Sequence, residues 1–556
     1  MALFTFLFFT IMVAVLTWWI TRGKSNDTED GFFLAGRSLS GLVIAGSLLL
    51  TNLSTEQLVG LNGGAFKEGL SVMAWEVIAG CSLVVMALFF LPRYLKSGIT
   101  TIPQFLEERY GAGVRALTTG VFIVAYMLIL LPFVLYSAAA ALSAMLDLPT
   151  ALGITQVQTI WLVVAFVAIV GSGYAIFGGL RAVAISDTFN GAGLLVGGSL
   201  ITYFALRYVA GAEGSIMDVF EVVSKENPDA FVSIGREGED IDSIAPLFTG
   251  VLLLNFFYWC TNQQIIQRTF GAKNLAEGQK GVLLAAFFKI LAPLILILPG
   301  ILALHIAQSN EAFNTTLLDA SGERNNDLVY GSLVRLVLPS ALTGFFAAVV
   351  VGSILSTFNS VLNSSATLFS LGVYKQVLKP DASHLDVVRS GQICSAVVAV
   401  LSAIAAPLVF MGRDGIFGYF QSLNGVYFIP LLAIILFGFA NRTASGRSAV
   451  ITALVGLVVM LWGTFFDGTV SESAGVAAVD GWVKTYFHSG YHFMGAVFVG
   501  LLGFQWALSE LAGMKRDQPY VQQDAKAVDL TPWKPAPIVG GLLVLAVLSI
   551  YAVLAQ

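Results

Sequence analysis

Apolar runs of the length that a helix needs to cross a bilayer, roughly 20 residues, follow one another along almost the whole chain. Fourteen are readable, at about 2–20, 39–62, 70–92, 116–144, 157–178, 188–209, 244–263, 282–306, 336–372, 392–411, 416–438, 448–466, 488–509 and 536–555. In hydrocarbon each backbone N–H and C=O must find its partner inside the segment, so such runs fold as spanning helices. A length of 556 residues would also allow several soluble domains, but only 11% of the residues are charged, against about 25% in soluble proteins. A charge near the bilayer centre costs at least about 2.5–3.5 kcal/mol, and this accounts for the depletion. The sequence therefore predicts an all-α, polytopic membrane protein.

Several partners and chemistries are disfavoured. No basic stripe suggests nucleic acid. Cys81, Cys260 and Cys394 all lie in apolar runs without metal or redox spacing, and four scattered histidines make no metal cluster. No nucleophile–base pair or phosphate loop points to an enzyme, and nothing asks for an organic cofactor. The N-terminus lacks the basic start of a cleaved signal peptide, so its apolar run reads as a retained first span.

Lys and Arg concentrate in cytoplasmic loops. With the N-terminus outside and the spans alternating, most of the 29 fall inside, among them Arg22, Lys24, Arg93, Lys96, Arg109, Arg115, Arg181, Arg268, Lys273, Arg442, Lys515 and Arg516. Lys67, Arg207, Lys225, Arg236, Arg324, Arg335, Arg413 and Lys484 fall outside, and Lys289 alone lies within a span. This bias places both termini outside the cytoplasm, in a bacterial inner membrane. The long outside segments near 208–243 and 307–335, the former with its acidic run Glu237–Asp242, read as solvated loops with short helices.

Function is expected where polar groups interrupt the apolar spans. The second span holds Thr51-Asn52-Leu53-Ser54-Thr55-Glu56-Gln57, too many polar side chains for one helix face. An unwound helix whose freed carbonyls line a wet cavity accommodates them. A helix interface glued by hydroxyls is the alternative. The seventh span carries Asn255 and the run Tyr258-Trp259-Cys260-Thr261-Asn262. Amides beside aromatic faces suit a polyhydroxylated ligand, although aromatic runs also mark membrane interfaces. In the ninth span Ser353, Ser356 and Thr357 adjoin on one helical face. They offer the hard oxygens that sodium prefers, or else serve as small packing residues. Glu76 and Lys289 are isolated charges inside spans, and Gln421 adds an amide. Asp187 begins the sixth span, as an ion way-station or a helix cap.

At these residues the chain resembles the solute:sodium symporter family over essentially its whole length, and its sodium/glucose cotransporter branch in particular. The resemblance rests on Asn255 through Arg268 with Ala272-Lys273 and Gln279-Lys280-Gly281, and on Phe358 through Thr367. It also rests on Gly178 through Val183 and on Thr101 through Tyr110. A subgroup of uncharacterised enterobacterial symporters is closer still, through Ala35-Gly36-Arg37-Ser38-Leu39 and Leu50 through Leu61.

The resemblance implies fourteen helices around a five-plus-five inverted repeat of the leucine-transporter type. Its expected divisions are a first helix and loop (1–38), repeat one (39–209), an outer loop (210–243), repeat two (244–438) and three C-terminal helices (439–556). By position, it places a sugar site on Gln57, Glu76, Asn255, Lys289 and Gln421, with Asn52 and Ser54 nearby. Tyr258, followed by Trp259, matches an inner gate. Sodium would be held by carbonyls of Leu50, Leu53 and Ser353 and hydroxyls of Ser356 and Thr357, and Asp187 would mark the path of a second sodium. Trp75 and Ala79 replace a tyrosine and a serine of a sugar-transporting relative, which bears on the cargo rather than the coupling. The expectation is sodium-driven import of a small polar solute, a hexose-like sugar, by a monomer or weak oligomer in contact with membrane lipid. A sugar acid, another carboxylate, an amino acid or a vitamin as cargo is the nearest alternative. A sugar-binding sensor or channel without accumulation is the alternative of another class.

Overall fold

The computed structural model describes residues 2–22, 29–236, 241, 243–318, 322–413, 415–465 and 490–555. Lys24, Lys484 and all of the acidic run 237–242 but Ile241 lie outside them. Among the described residues the chain is helical throughout, with isolated β-bridges in place of strands. Eleven helices are long and apolar enough to cross a membrane, or 13 when each of two bent pairs counts as one span. Large apolar side chains such as Phe8, Ile169, Ile393, Leu408 and Leu548 point outward, as a lipid-facing surface requires.

After α1 (Ala2–Thr21), the second run is broken as its polar residues predict. It forms α2 (Gly41–Asn52) and α3 (Thr55–Glu68), with Leu53 and Ser54 in non-helical conformations between them. Gly69 then turns the chain at φ +69°, where a Cβ would lie 2.8 Å from Ala230 O. Beyond it α4 (Ala74–Val85) leads on toward Ser97. Asn52 and Glu76 both reach the ammonium of Lys289, so the chain must reverse between them. A straight helix over those 24 positions would separate them by about 36 Å. Dividing the 43-residue helical stretch Thr55–Ser97 at this reversal brings the spans to the fourteen expected.

The fifth and sixth spans were expected to be separated by a loop at Arg181, but helical hydrogen bonding continues through α5 (Gln156–Ala210). Gly178-Gly179 lies at the expected break, and glycine tolerates a bend there, but helical hydrogen bonding runs through it. Gly171 nevertheless packs on Phe358 while Asn190 packs on Gly352. Nineteen residues on one helix facing six on another cannot belong to two straight rods, so α5 bends over between residues 172 and 187 and supplies both spans.

The seventh run is bent by 41° between α6 (Leu252–Cys260), with the turns before it, and α7 (Gln263–Phe270). Next come α8 (Leu275–Leu291), the long α9 (Ser340–Phe369) and α10 (Ile416–Ala440). The two outer segments do contain short helices, Ile216–Glu226 and Val329–Val337. The second is not solvated, because Val329 through Val334 are buried and Gly331 sits against Ala144. Arg93, Lys96, Arg109 and Arg442, all expected inside, gather on one face, and a polar strap near 514–534 crosses it. Arg516 N donates to Thr443 O (2.7 Å), Ala525 N to Lys96 O (2.8 Å) and Leu275 N to Asp529 O (2.9 Å). On the opposite face Leu70 N donates to Ala230 O, and Asn227 pairs with Gln308.

Candidate functional site

The break after α2, the start of α4, the middle of α6, the end of α8 and the interior of α10 converge on one cavity. Its volume is about 40 Å³, room for only a few water molecules. The side chains lining it are Asn52, Glu56, Gln57, Trp75, Glu76, Asn255, Tyr258, Trp259, Lys289, Gln421, Asn424 and five apolar neighbours. Eight of the nine solute-site residues expected from the sequence are present. Ser54 is the exception, since its hydroxyl turns to the Glu56 carboxylate.

Lys289 organises this cavity. Its ammonium pairs with Glu76, donates to Asn52 Oδ1 at 2.5 Å and lies 5.6 Å from the Trp259 ring centroid. Lys289 and Glu76 are each 1% exposed, and two charges so deep survive only as partners. Around the pair stand amides with capacity to spare. Gln57 Oε1 is buried without a partner, while Asn255 Nδ2 is occupied by Val251 O. Asn424 Nδ2 donates to Gln421 Oε1 at 3.1 Å, and Gln264 Nε2 donates to Tyr258 Oη at 3.4 Å. Trp75 closes a wall by meeting Phe417 and Tyr491 edge to face. Such a lining can hydrogen-bond several hydroxyls at once and stack on an apolar ring face.

Next to the cavity, the break in α2 faces α9. Ser54 N turns to Asn52 O (2.8 Å), so Leu50 O loses the donor that a continuing helix would supply. Ser353 Oγ donates to Leu53 O at 3.3 Å and Thr357 Oγ1 to Thr51 O at 3.0 Å, while Ser356 Oγ is buried beside the Asp187 carboxylate without a close hydrogen bond. Hard oxygens with one such loosely held hydroxyl are a donor set that fits sodium, and the residues expected to hold it lie together here. The Thr51 carbonyl is an addition that the sequence does not indicate. Among the described residues no three His, Cys, Asp or Glu side chains gather as a metal cluster.

Asp187 is neither a helix cap nor at a loop. It lies inside α5, fully buried, accepting from Ser47 Oγ at 2.7 Å and 3.9 Å from Arg268. Arg268, counted above among the loop cations, is buried on α7, where it bonds Ser47, Gln264 O and Ser360. Apolar runs end before α7, so a boundary drawn from hydropathy leaves this inner half-helix in the loop. Glu56 and Asn424 are further site residues not singled out from the sequence. Glu56 stood within the polar run, and Asn424 lies three positions from Gln421, on the same helical face.

Residues 32–456 match the family model described as the sodium:solute symporter family. The chain belongs to the sodium:solute symporter family. It is 39% identical to the uncharacterised symporter YidK of Escherichia coli, across 99% of this chain and 90% of that one. It is 31% identical to the sodium/glucose cotransporter of Vibrio parahaemolyticus, across 82% of this chain and 84% of that one. A Na+-coupled sialic acid symporter solved in a substrate-bound outward-open state superposes with a TM-score of 0.73 over 93% of this chain and 98% of that one. At 18% identity this likeness shows the fold, a leucine-transporter-type core with its five-plus-five inverted repeat. As a sodium:solute symporter, the protein is a membrane transporter and not an enzyme, and its coupling ion is Na+.

Proposed function

We propose that this symporter imports a small, neutral, polyhydroxylated solute, a hexose-like sugar, together with sodium. The observation that carries the reading is the Lys289–Glu76 pair at the cavity. Because Glu76 already neutralises Lys289, the lining has no spare cation for a carboxylate, and its free capacity lies in amides and aromatic faces. Similarity to a sodium/glucose cotransporter, and at 28% identity to the rabbit sodium/myo-inositol cotransporter 2, supports a neutral polyol.

In this reading Asn52, Gln57, Glu76, Asn255, Lys289 and Gln421 grip the solute, and Tyr258 with Trp259 separates the cavity from the basic, cytoplasmic face. Residues 39–209 and 244–438 form the two repeats, and both termini lie outside. A cavity of about 40 Å³ must widen before a sugar enters, so the conformation described is a contracted member of an alternating-access cycle. Sodium between α2 and α9 would hold the broken helix in the shape that presents Asn52 and Gln57. Coupling follows only if both ligands favour that same conformation. One charge moving down about 100 mV releases about 2.3 kcal/mol, enough by itself for roughly fortyfold accumulation.

The test is uptake into proteoliposomes under an inward sodium gradient, across hexoses, polyols, hexuronates and amino acids. A hexose or polyol should be concentrated above equilibrium, and stronger sodium-dependent binding of an acid or amino acid would overturn the cargo assignment. Gln57→Ala, which deletes an orphaned buried acceptor, should weaken solute binding about tenfold, the scale of one or two hydrogen bonds. Unchanged affinity in that variant would remove Gln57 from the site.

A further inference from the structure

A second cavity, of about 420 Å³, opens on the basic face between the ends of the third and eleventh spans and the strap near 514–534. Arg93, Lys96, Arg109 and Arg442 line it, brought together from the helices Leu91–Ser97 and Ile102–Tyr110 and from the turn after α10. None of the four has an ion-pair partner among the described residues. Four other cations of this face are neutralised: Arg115 pairs with Glu107, Lys280 with Glu277 (2.8 Å), Lys379 with Asp386 (2.9 Å) and Lys515 with Glu510 (2.5 Å). Arg109 is 3% exposed and is held by the carbonyls of Gly438, Ala444 and Asn441 rather than by a carboxylate. Glu108 stands nearby but is directed at Ser97 and Tyr520. Four cations against one engaged carboxylate leave a net positive cavity, and a buried cation without a counter-charge is costly.

The other lining is apolar and aromatic. Phe89, Phe105, Ile435 and Phe439 face the same space, and the Arg93 guanidinium lies 3.6 Å from the Phe89 ring centroid. A free anion has no use for such a wall, whereas a lipid brings a charged head and an apolar body together. We propose that this cavity binds a phosphate-bearing anion, presented as the headgroup of an anionic phospholipid. Cationic pockets between the ends of spanning helices suit such headgroups, and the guanidinium fork matches phosphate geometry. The bound headgroup joins the strap, through the wall that Tyr520 and Gln522 provide, to the ends of two spans. Gln522 Nε2 already donates to Arg93 O (2.6 Å) and Ser97 Oγ (2.8 Å).

The test is native mass spectrometry of the full chain in detergent with added phosphatidylglycerol, phosphatidylcholine or inorganic phosphate. The unmodified protein should retain phosphatidylglycerol at least about tenfold better than phosphatidylcholine. Lys96→Gln with Arg442→Gln should weaken this about twenty-fivefold, at roughly fivefold per cation. Lys280→Gln with Lys379→Gln removes the same charge outside the cavity and should change retention less than twofold. Arg442→Gln alone, with its fivefold loss, decides the matter if the double variant fails to fold. Equal retention of the two lipids, or equal losses in the two double variants, would overturn the proposal. Displacement of phosphatidylglycerol by an equal concentration of inorganic phosphate would overturn its lipid part.

Discussion

Lys289→Met is expected to abolish solute binding and to destabilise the folded protein by about 3–5 kcal/mol, the cost of leaving one partner of a buried ion pair alone. The remaining carboxylate, Glu76, is 1% exposed and loses the cation that neutralises it. Asn52 loses the donor that reaches its Oδ1 at 2.5 Å, so the broken end of α2 also loses its anchor on α8. The double variant Lys289→Met with Glu76→Leu separates structure from function. Replacing both charges by apolar groups of similar size is often neutral or stabilising, so thermal stability in detergent should return to near the parent value. Solute binding should not return, because the donors and acceptors that grip hydroxyls are then gone. A double variant that regained both would make the pair a structural bridge and remove it from the binding site.

The pair illustrates what could be read in advance. Two lone charges in separate spans announce a partnership because lipid forbids either one alone, although nothing in the spacing of residues 76 and 289 shows that they meet. The break in α2 was legible for a similar reason, since Thr51 through Gln57 cannot all be sheltered on one helical face. Lining residues with a side-chain signature, such as Asn255 and Gln421, were legible too. Backbone oxygens were not: Thr51 O receives Thr357 because of the local path of the chain, and a carbonyl has no sequence signature. Hydropathy also misplaced Arg268, since a charge on a buried half-helix looks like a charge in a loop. The reversal between the fifth and sixth spans was legible at Gly173 and Gly178-Gly179, but not that helical hydrogen bonding would carry on through it. The strap was illegible because its hydrogen bonds go to Lys96, Arg442, Thr443 and Leu275, and it has no periodicity of its own.

Thr357→Ala is expected to reduce uptake at ordinary sodium concentrations to the sodium-independent background while the protein stays folded in the membrane. Alanine favours helix more than threonine does, and the change removes one hydroxyl and one methyl from the interior of α9. The hydroxyl sits 3.0 Å from Thr51 O, across from the segment where α2 has come apart. Hydrogen bonds and ligand contacts to charged groups are worth about 1.5–3 kcal/mol, so the sodium needed for half-maximal uptake should rise at least about tenfold. Thr357→Ser keeps the oxygen and should restore most of the activity, which a purely steric role for the threonine methyl would not allow. Ser356→Ala should behave like Thr357→Ala if its buried hydroxyl, which lies beside Asp187, serves the same proposed sodium site. Ser364→Ala is the control, for that hydroxyl is engaged with Gln267 Oε1 at 2.9 Å about two turns further along α9. Sodium dependence unchanged in Thr357→Ala would leave the opened α2 without an ion to close it. The link between cation and solute would then have to run through another part of the fold.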